Sequence, residues 1–393
     1  MRTHHSLMEI LRTSLKLGLT SFGGPVAHLG YFKDEYIDKR QWLDDKTYAD
    51  IIALCQFLPG PASSQVGISI GMLRGGFFGG LVSWFGFTVP SVIVLVLFAL
   101  FYQTFSLEGA AWIGGLKIVA VAVVAHAVIG LGKKLTPDTP RIAVALAAAV
   151  VMLLFPSAMV QIGVIIGAAI LGFFLFSKEA TSRVQPFSVP ITKKQGLMSL
   201  SVLVGLLVGL PLLSQAVSHV YITLADIFFR VGTLVFGGGH VVLPLLEQEV
   251  VPNGLLTGSD FLAGYGMAQA VPGPLFTFSS YLGAMISGIG GAVVATIAIF
   301  LPSFLLLVGA LPFLSELRHR SGFQGVLTGV NASVVGILLA AWYDPVFTSS
   351  VADGADFALA AVLFGLLHFW KVPAWLVVII GVIVGTGIGF MFG

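Results

Sequence analysis

Charged side chains are scarce in this sequence: Lys, Arg, Asp and Glu make up only 10% of its 393 residues. A soluble domain carries about 25%, so the composition excludes an ordinary water-soluble globule. There is one cysteine, Cys55, in an apolar stretch. That excludes an intramolecular disulfide, and the chain has no metal-ligand cluster, so no metal or cofactor is expected. The sequence contains no HExxH, no GxSxG, no Walker A motif and no paired carboxylates inside an apolar segment. An enzyme and an ATP-driven pump are therefore not expected. Pairs such as Gly75-Gly76 and Gly79-Gly80 read as helix starts and packing points, not as a phosphate loop. The net charge of +2 is small and unevenly placed, which gives no basis for a nucleic-acid partner. Residues 1–7 are polar and precede no apolar run with a cleavage site, so no cleavable leader is expected.

What the chain has in excess is apolar surface and glycine. Hydrophobic residues make up 57%, mean hydropathy is +0.99, and there are 48 glycines. Such a chain belongs in a lipid bilayer, where small residues let helices approach closely. The expected fold class is an all-α polytopic membrane protein.

The sequence repeats itself. Phe22-Gly23-Gly24 recurs as Phe236-Gly237-Gly238, and a Glu follows each Phe at the same distance, Glu35 and Glu249. Gln56-x-x-Pro59-Gly60-Pro61 recurs as Gln269-x-x-Pro272-Gly273-Pro274. Pro90-Ser91 recurs as Pro302-Ser303, and Gly115-x-Lys117 as Gly329-x-Asn331. Gly163-x-x-x-Gly167 resembles Gly381-x-x-x-Gly385, at a slightly different spacing from the preceding proline. This order of matches reads as a duplication: residues 1–195, a linking transmembrane helix at 196–213, and residues 214–393.

Each half is expected to hold six apolar segments, near 7–30, 48–73, 79–101, 111–131, 142–155 and 157–176, then 222–246, 259–286, 289–313, 322–343, 355–370 and 373–392. With the linker this gives about thirteen. The loops carrying Lys133, Lys134 and Arg141, then Lys178, Arg183, Lys193 and Lys194, then Arg318 and Arg320, are expected in the cytoplasm. These placements agree if the linker crosses once, so the second half is inserted upside down, as in many secondary transporters. The loop 31–47 conflicts with full spans, because it carries Lys33, Lys39, Arg40 and Lys46 on the outside. If the first two segments of each half instead fold back at their Gly-Gly and Pro-Gly-Pro breaks, the conflict disappears. Both arrangements remain open at this point.

The breaks are also where chemistry is expected. Pro59-Gly60-Pro61 interrupts a helix, and Pro61 suits the first turn of a new one. The N–H groups that follow, with Ser63, Ser64 and Gln65, would face an anion. Thr277 and Ser279 hold the matching place after Pro274. Gln56 and Gln269 would brace the breaks or touch the ligand. The competing reading is a pair of proline kinks that only shape packing. Gly23, Gly24, Gly237, Gly238, Gly239 and His240 form a second set of breaks, whose alternative role is close helix crossing. Lys117, in an otherwise apolar segment, would supply positive field or else snorkel to an interface. Arg74, Arg230, Glu35, Glu249 and Asn331 are candidates for gating or coupling, against the alternative of helix-end charges and structural ion pairs. His28 and His126 read more readily as hydrogen-bonded groups between helices than as titrating ones.

Taken together, the two Phe-Gly-Gly elements, the two Pro-Gly-Pro elements with a preceding Gln, and the duplicated length resemble the chromate ion transporter family in its two-domain form. The resemblance covers essentially the whole chain. It implies export of chromate from the cytoplasm across the inner membrane, driven by the membrane potential or proton gradient, with sulfate as a related oxyanion. Its motif residues fall on Phe22, Gly23, Gly24, Gln56, Pro59, Gly60 and Pro61, and on Phe236, Gly237, Gly238, Gly239, Gln269, Pro272, Gly273 and Pro274. Pro25 stands where the second half has Gly239, so the two glycine elements are not equivalent. A sulfate or other anion transporter without chromate preference, and an anion channel, are the alternatives. A homodimer is compatible with this plan.

Overall fold

The computed structural model describes residues 7–22, 24–45, 47–48, 51–52, 55, 58–105, 111–177, 192–235, 242–310 and 321–392. Among them there are helices and no strands. In chain order the helices are α1 (Leu7–Thr20), α2 (Gly24–Phe32), α3 (Ala62–Thr104), α4 (Ala111–Leu135), α5 (Thr139–Leu154), α6 (Ala158–Leu175) and α7 (Lys193–Ala216). They continue as α8 (Val220–Leu234), α9 (Val242–Val250), α10 (Gly258–Ala270), α11 (Phe278–Ala310), α12 (Ser321–Ala341), α13 (Gly354–His368) and α14 (Ala374–Phe392). Five helical stretches are long and apolar enough to cross a membrane, and four shorter ones are also apolar. The α7 helix joins the two parts of the chain and leaves Leu197, Met198, Val204 and Leu212 exposed, a surface suited to lipid.

Polar residues set where these helices begin. Asp138 caps α5 by accepting from the Arg141 N–H, and Ser157 caps α6 by accepting from Val160. Thr192 and Gln195 form a capping box at α7, and Asp353 caps α13. Each cap satisfies N–H groups that the helix itself leaves unpaired.

The chain turns back on itself where the sequence has its breaks. Ser14 meets Tyr36 across the first Phe-Gly-Gly, with their hydroxyls 3.5 Å apart. Cys55 lies beside Ser69 across the first Pro-Gly-Pro, with Sγ and Oγ at 3.8 Å. Arg230 reaches Glu249 at 2.6 Å across the second Phe-Gly-Gly. The Tyr281 hydroxyl donates to the Asp260 carbonyl at 2.9 Å across the second Pro-Gly-Pro. A straight helix advances about 1.5 Å per residue, so residues this far apart in sequence touch only if the chain reverses between them. Two more reversals lie inside α3 and α11. Gly76 (φ 64°) turns α3, and Gly288 (φ 62°) turns α11. The arms then pack so tightly that Gly71 meets the Gly79 carbonyl and Gly283 the Gly291 carbonyl. A Cβ at Gly71, Gly79, Gly283 or Gly291 would collide with backbone.

Helix pairing is exchanged between the two parts. The α4 helix packs against α13 and α14, and α12 packs against α5 and α6. Gly115 of α4 abuts Gly381 and Gly385, whereas Gly329 of α12 abuts Ala168 and Gly172. This corrects one sequence match. A Cβ on Gly163 or Gly167 would meet nothing within 4 Å among the described residues, and the positions that take the place of Gly381 and Gly385 in the first part are Ala168 and Gly172. They stand at the same offset that relates Pro59 to Pro272. A Gly-x-x-x-Gly spacing alone cannot tell which face of a helix packs.

Candidate functional site

Each Pro-Gly-Pro turn docks onto the other part of the chain. The Gly60 N–H donates to the Val235 carbonyl at 2.6 Å, and the Gly273 N–H donates to the Ser21 carbonyl at 2.8 Å. Val235 directly precedes the second Phe-Gly-Gly, and Ser21 directly precedes the first. The Pro-Ser pairs complete the exchange. A Cβ on Gly60 would strike Ser303 Oγ, and one on Gly273 would lie 2.8 Å from Ser91 Oγ. Both glycines have positive φ, +118° and +106°, a region open chiefly to glycine. Turn, glycine break and Pro-Ser pair therefore form two reciprocal junctions.

These junctions gather buried polar atoms that find no protein partner among the described residues. They include Ser21 Oγ, Ser64 Oγ, Gln65 Oε1, Thr88 Oγ1, Ser279 Oγ, Ser303 Oγ and Gln269 Nε2. An unpaired polar atom in an apolar interior costs about 1–3 kcal/mol, so this concentration is the candidate place for a polar ligand.

The expected side-chain donors divide accordingly. Ser64 and Ser279 are buried with unpartnered hydroxyls. Ser63 Oγ is 3.2 Å from His28 Nδ1, and Thr277 donates to the Pro274 carbonyl at 2.7 Å. Gln65 Nε2 donates to the Pro59 carbonyl at 2.7 Å, bracing its own turn and leaving Oε1 over. Pro61 precedes α3 and makes no side-chain cap, so the cap residue leaves the first N–H groups of that helix unpaired. Gly23, Gln56, Gly237, Gly238, Gly239 and His240 lie outside the described residues.

Two cavities are lined by ionisable side chains, and the first of them adjoins the second Pro-Gly-Pro turn. The first, of about 420 Å³, is lined by Gly24, Gln269 and Gly273 together with His126, His368 and Lys371. Phe22 meets Trp375 beside it, with ring centroids 6.1 Å apart. The other, of about 230 Å³, is lined by Glu247 and Asp344 with Ile337 and Ala340. Glu247 sits on the nine-residue α9, which is too short to span a bilayer. Burial first, and then Asp344, push its carboxyl up to about 7.

Neither Lys117, expected to supply positive field, nor any of the gating candidates lines these cavities. Lys117 and Asn331 are half-buried on α4 and α12 and line neither. Arg74 lies over the Trp42 ring, 4.6 Å from its centroid. Glu35 pairs with Lys16 at 2.6 Å and Arg40 at 2.9 Å, and Glu249 pairs with Arg230 at 2.6 Å. Burial alone would raise the Glu35 carboxyl, but the two cations outweigh it and hold it below the usual range. The matched glutamates thus tie hairpins together through ion pairs. His368 and Lys371 escaped the sequence reading because only the turn after α13 brings them to His126. Ser303 and Thr88 escaped it too, although the repeated Pro-Ser pair was a usable signal for the first.

A family model described as "Chromate transporter" matches residues 8–173 and again 222–386. The chain belongs to the chromate transporter family. Relatives include an uncharacterized transporter of Methanocaldococcus jannaschii, 25% identical over 98% of this chain and 95% of its own. A chromate transport protein of Pseudomonas aeruginosa is 26% identical over 95% of this chain and 90% of its own. A probable chromate transport protein of Synechococcus elongatus is 26% identical over 97% and 95%. No solved structure matches. Family and apolar helices together make this a multi-pass membrane transporter.

Proposed function

We propose that the protein is a secondary active exporter of chromate and related tetrahedral oxyanions such as sulfate, working in the inner (plasma) membrane. The observation that carries this reading is the cluster of unpartnered buried polar atoms at the two reciprocal junctions. A tetrahedral dianion is held well by several N–H and hydroxyl donors. One strong ion pair would hold it too tightly for release. The first turn of α3 contributes N–H groups and the positive end of a helix dipole, and Ser64, Ser279 and Ser303 contribute hydroxyls. The turns behave as re-entrant hairpins in an inverted pair of halves, residues 1–195 and 214–393, joined across the membrane by 196–213. The reversals at all four breaks and the exchanged helix packing support that arrangement. Alternating access then follows if one junction opens while the other stays closed.

Counterflow in proteoliposomes tests the proposal. Vesicles loaded with unlabelled sulfate should accumulate labelled sulfate or chromate transiently above equilibrium. Saturable flux with no trans-stimulation would identify a channel, and no flux of either anion would sink the oxyanion reading.

A further inference from the structure

The larger cavity contains a feature that anion binding by the turns does not require. His126 of α4 and His368 of α13 face each other through their Nδ1 atoms, 3.3 Å apart. Two imidazole nitrogens at that distance need one proton between them, because one must donate and the other accept. A pair so placed can hold one extra proton, as an imidazolium donating to a neutral ring. It resists a second, which would set two N–H groups against each other. Phe364 lies flat against His368, with centroids 5.2 Å apart and 11° between the planes, so a cation there gains from the ring face. Lys371 lines the same cavity, and its described lining holds no carboxylate.

Among the described residues, the surrounding elements supply no competing partner for the pair. The α14 and α12 helices carry no titratable side chain among their residues. The α10 helix brings Tyr265, which bonds Gln269, and Asp260, which accepts from Tyr102 and Thr257. The α13 helix brings Asp356 at its far end, bonded to the Ala352 N–H. The turn after α12 brings exposed Tyr343 and Asp344, and Asp344 accepts from Thr348. On α4 itself are Lys117, Lys133 and Lys134.

The geometry points to a proton-linked anion site: His126 and His368 share and take up a proton when an oxyanion occupies the cavity at the second Pro-Gly-Pro turn. The inference rests on the oxyanion reading above and deepens it. A dianion beside Lys371 and the histidines favours their charged form, and by linkage proton uptake favours the anion equally. The unpartnered Gln269 Nε2 supplies a neutral donor in the lining of the same cavity.

The test is sulfate binding to the purified full-length protein, since sulfate stays a dianion around neutral pH whereas chromate itself protonates. Calorimetric titration in buffers of different ionisation enthalpy reads the protons taken up. The wild type should take up close to one proton per sulfate, with affinity falling by up to about tenfold per pH unit as the pair loses its proton. His126→Gln with His368→Gln should bind sulfate with no proton uptake and a flat pH profile. His368→Gln alone is the fallback if the double variant does not fold. Lys371→Met should weaken binding at every pH and leave proton uptake in place. Wild-type binding without proton uptake, or unchanged uptake in the histidine variants, would overturn the inference and leave the anion site standing. Absence of any sulfate or chromate binding by the wild type would overturn the oxyanion reading, and this inference with it.

Discussion

The two cavities occupy corresponding corners of the exchanged helix packing, yet carry opposite charge. In the register that pairs Gly115 with Gly329, Ala340 stands where α4 has His126. The α4 corner presents His126, His368 and Lys371, and the α12 corner presents Glu247 and Asp344. Duplication therefore preserved the turns and their docking while the walls diverged. A dianion is drawn to the first corner and repelled from the second.

The strongest way to challenge that shared backbone design is to fill the glycines of the turns. At Gly60 an added methyl meets Ser303 Oγ and lies 2.9 Å from Gln65 Nε2, at φ +118°. At Gly273 it meets Ser91 at 2.8 Å, at φ +106°. Backbone strain of this kind costs about 1–3 kcal/mol before any collision is counted. Transport should fall at least about tenfold in Gly273→Ala and to background in Gly60→Ala, with both proteins inserted at normal levels. Equal losses would show that the junctions tolerate crowding alike. Unaltered transport in both would remove the turns from the path.

The backbone of this site was legible in the sequence, because proline and glycine act locally and repeat. Pro59-Gly60-Pro61 and its mate announce a break whatever surrounds them. The partner of each break was not legible. Nothing about Gly60 says that its N–H will reach Val235, because that contact depends on how two hairpins cross. The same holds for the cavity walls. His126 reads from sequence as one more polar group between helices, and His368 sits far along the chain, so only the fold brings their rings together. Glu35 and Glu249 show the reverse case. Their matched positions were visible, and their cations, Lys16 and Arg230, lie one helix back at matched places too.

Those ion pairs offer a comparison of intermediate size. Arg230 donates twice to Asp226 and twice to Glu249, at 2.6–3.2 Å. Lys16 makes a single bond to Glu35, is half-exposed, and shares that carboxylate with Arg40. Removing Arg230 strands two poorly exposed carboxylates, whereas removing Lys16 leaves Glu35 a partner. Arg230→Ala should destabilise the protein by about 2–4 kcal/mol, and Lys16→Ala by less than about 1 kcal/mol. Thermal unfolding of the two variants in detergent checks the order. A larger loss at Lys16 would mean that the first hairpin, not the second, depends on its ion pair.

The smallest effect is expected at the acidic corner, and its sign separates the two corners. Burial and Asp344 both oppose the charge of Glu247 and push its folded-state carboxyl up to about 7, above the ordinary carboxylate range. The native state therefore keeps this proton after the unfolded chain has lost it. Stability is greatest at low pH and falls as pH rises from the unfolded value through the folded one. Glu247→Gln, which fixes the neutral form, should raise the unfolding temperature by a few degrees at about pH 8 and leave it unchanged at about pH 4. Asp344→Asn should give part of the same gain by removing the neighbouring charge. Neither change should alter the protons taken up with sulfate, since both lie in the cavity that lacks the histidines. A Glu247→Gln variant that is less stable at about pH 8 would mean that the carboxylate has a cationic partner. The contrast in charge between the corners would then fail.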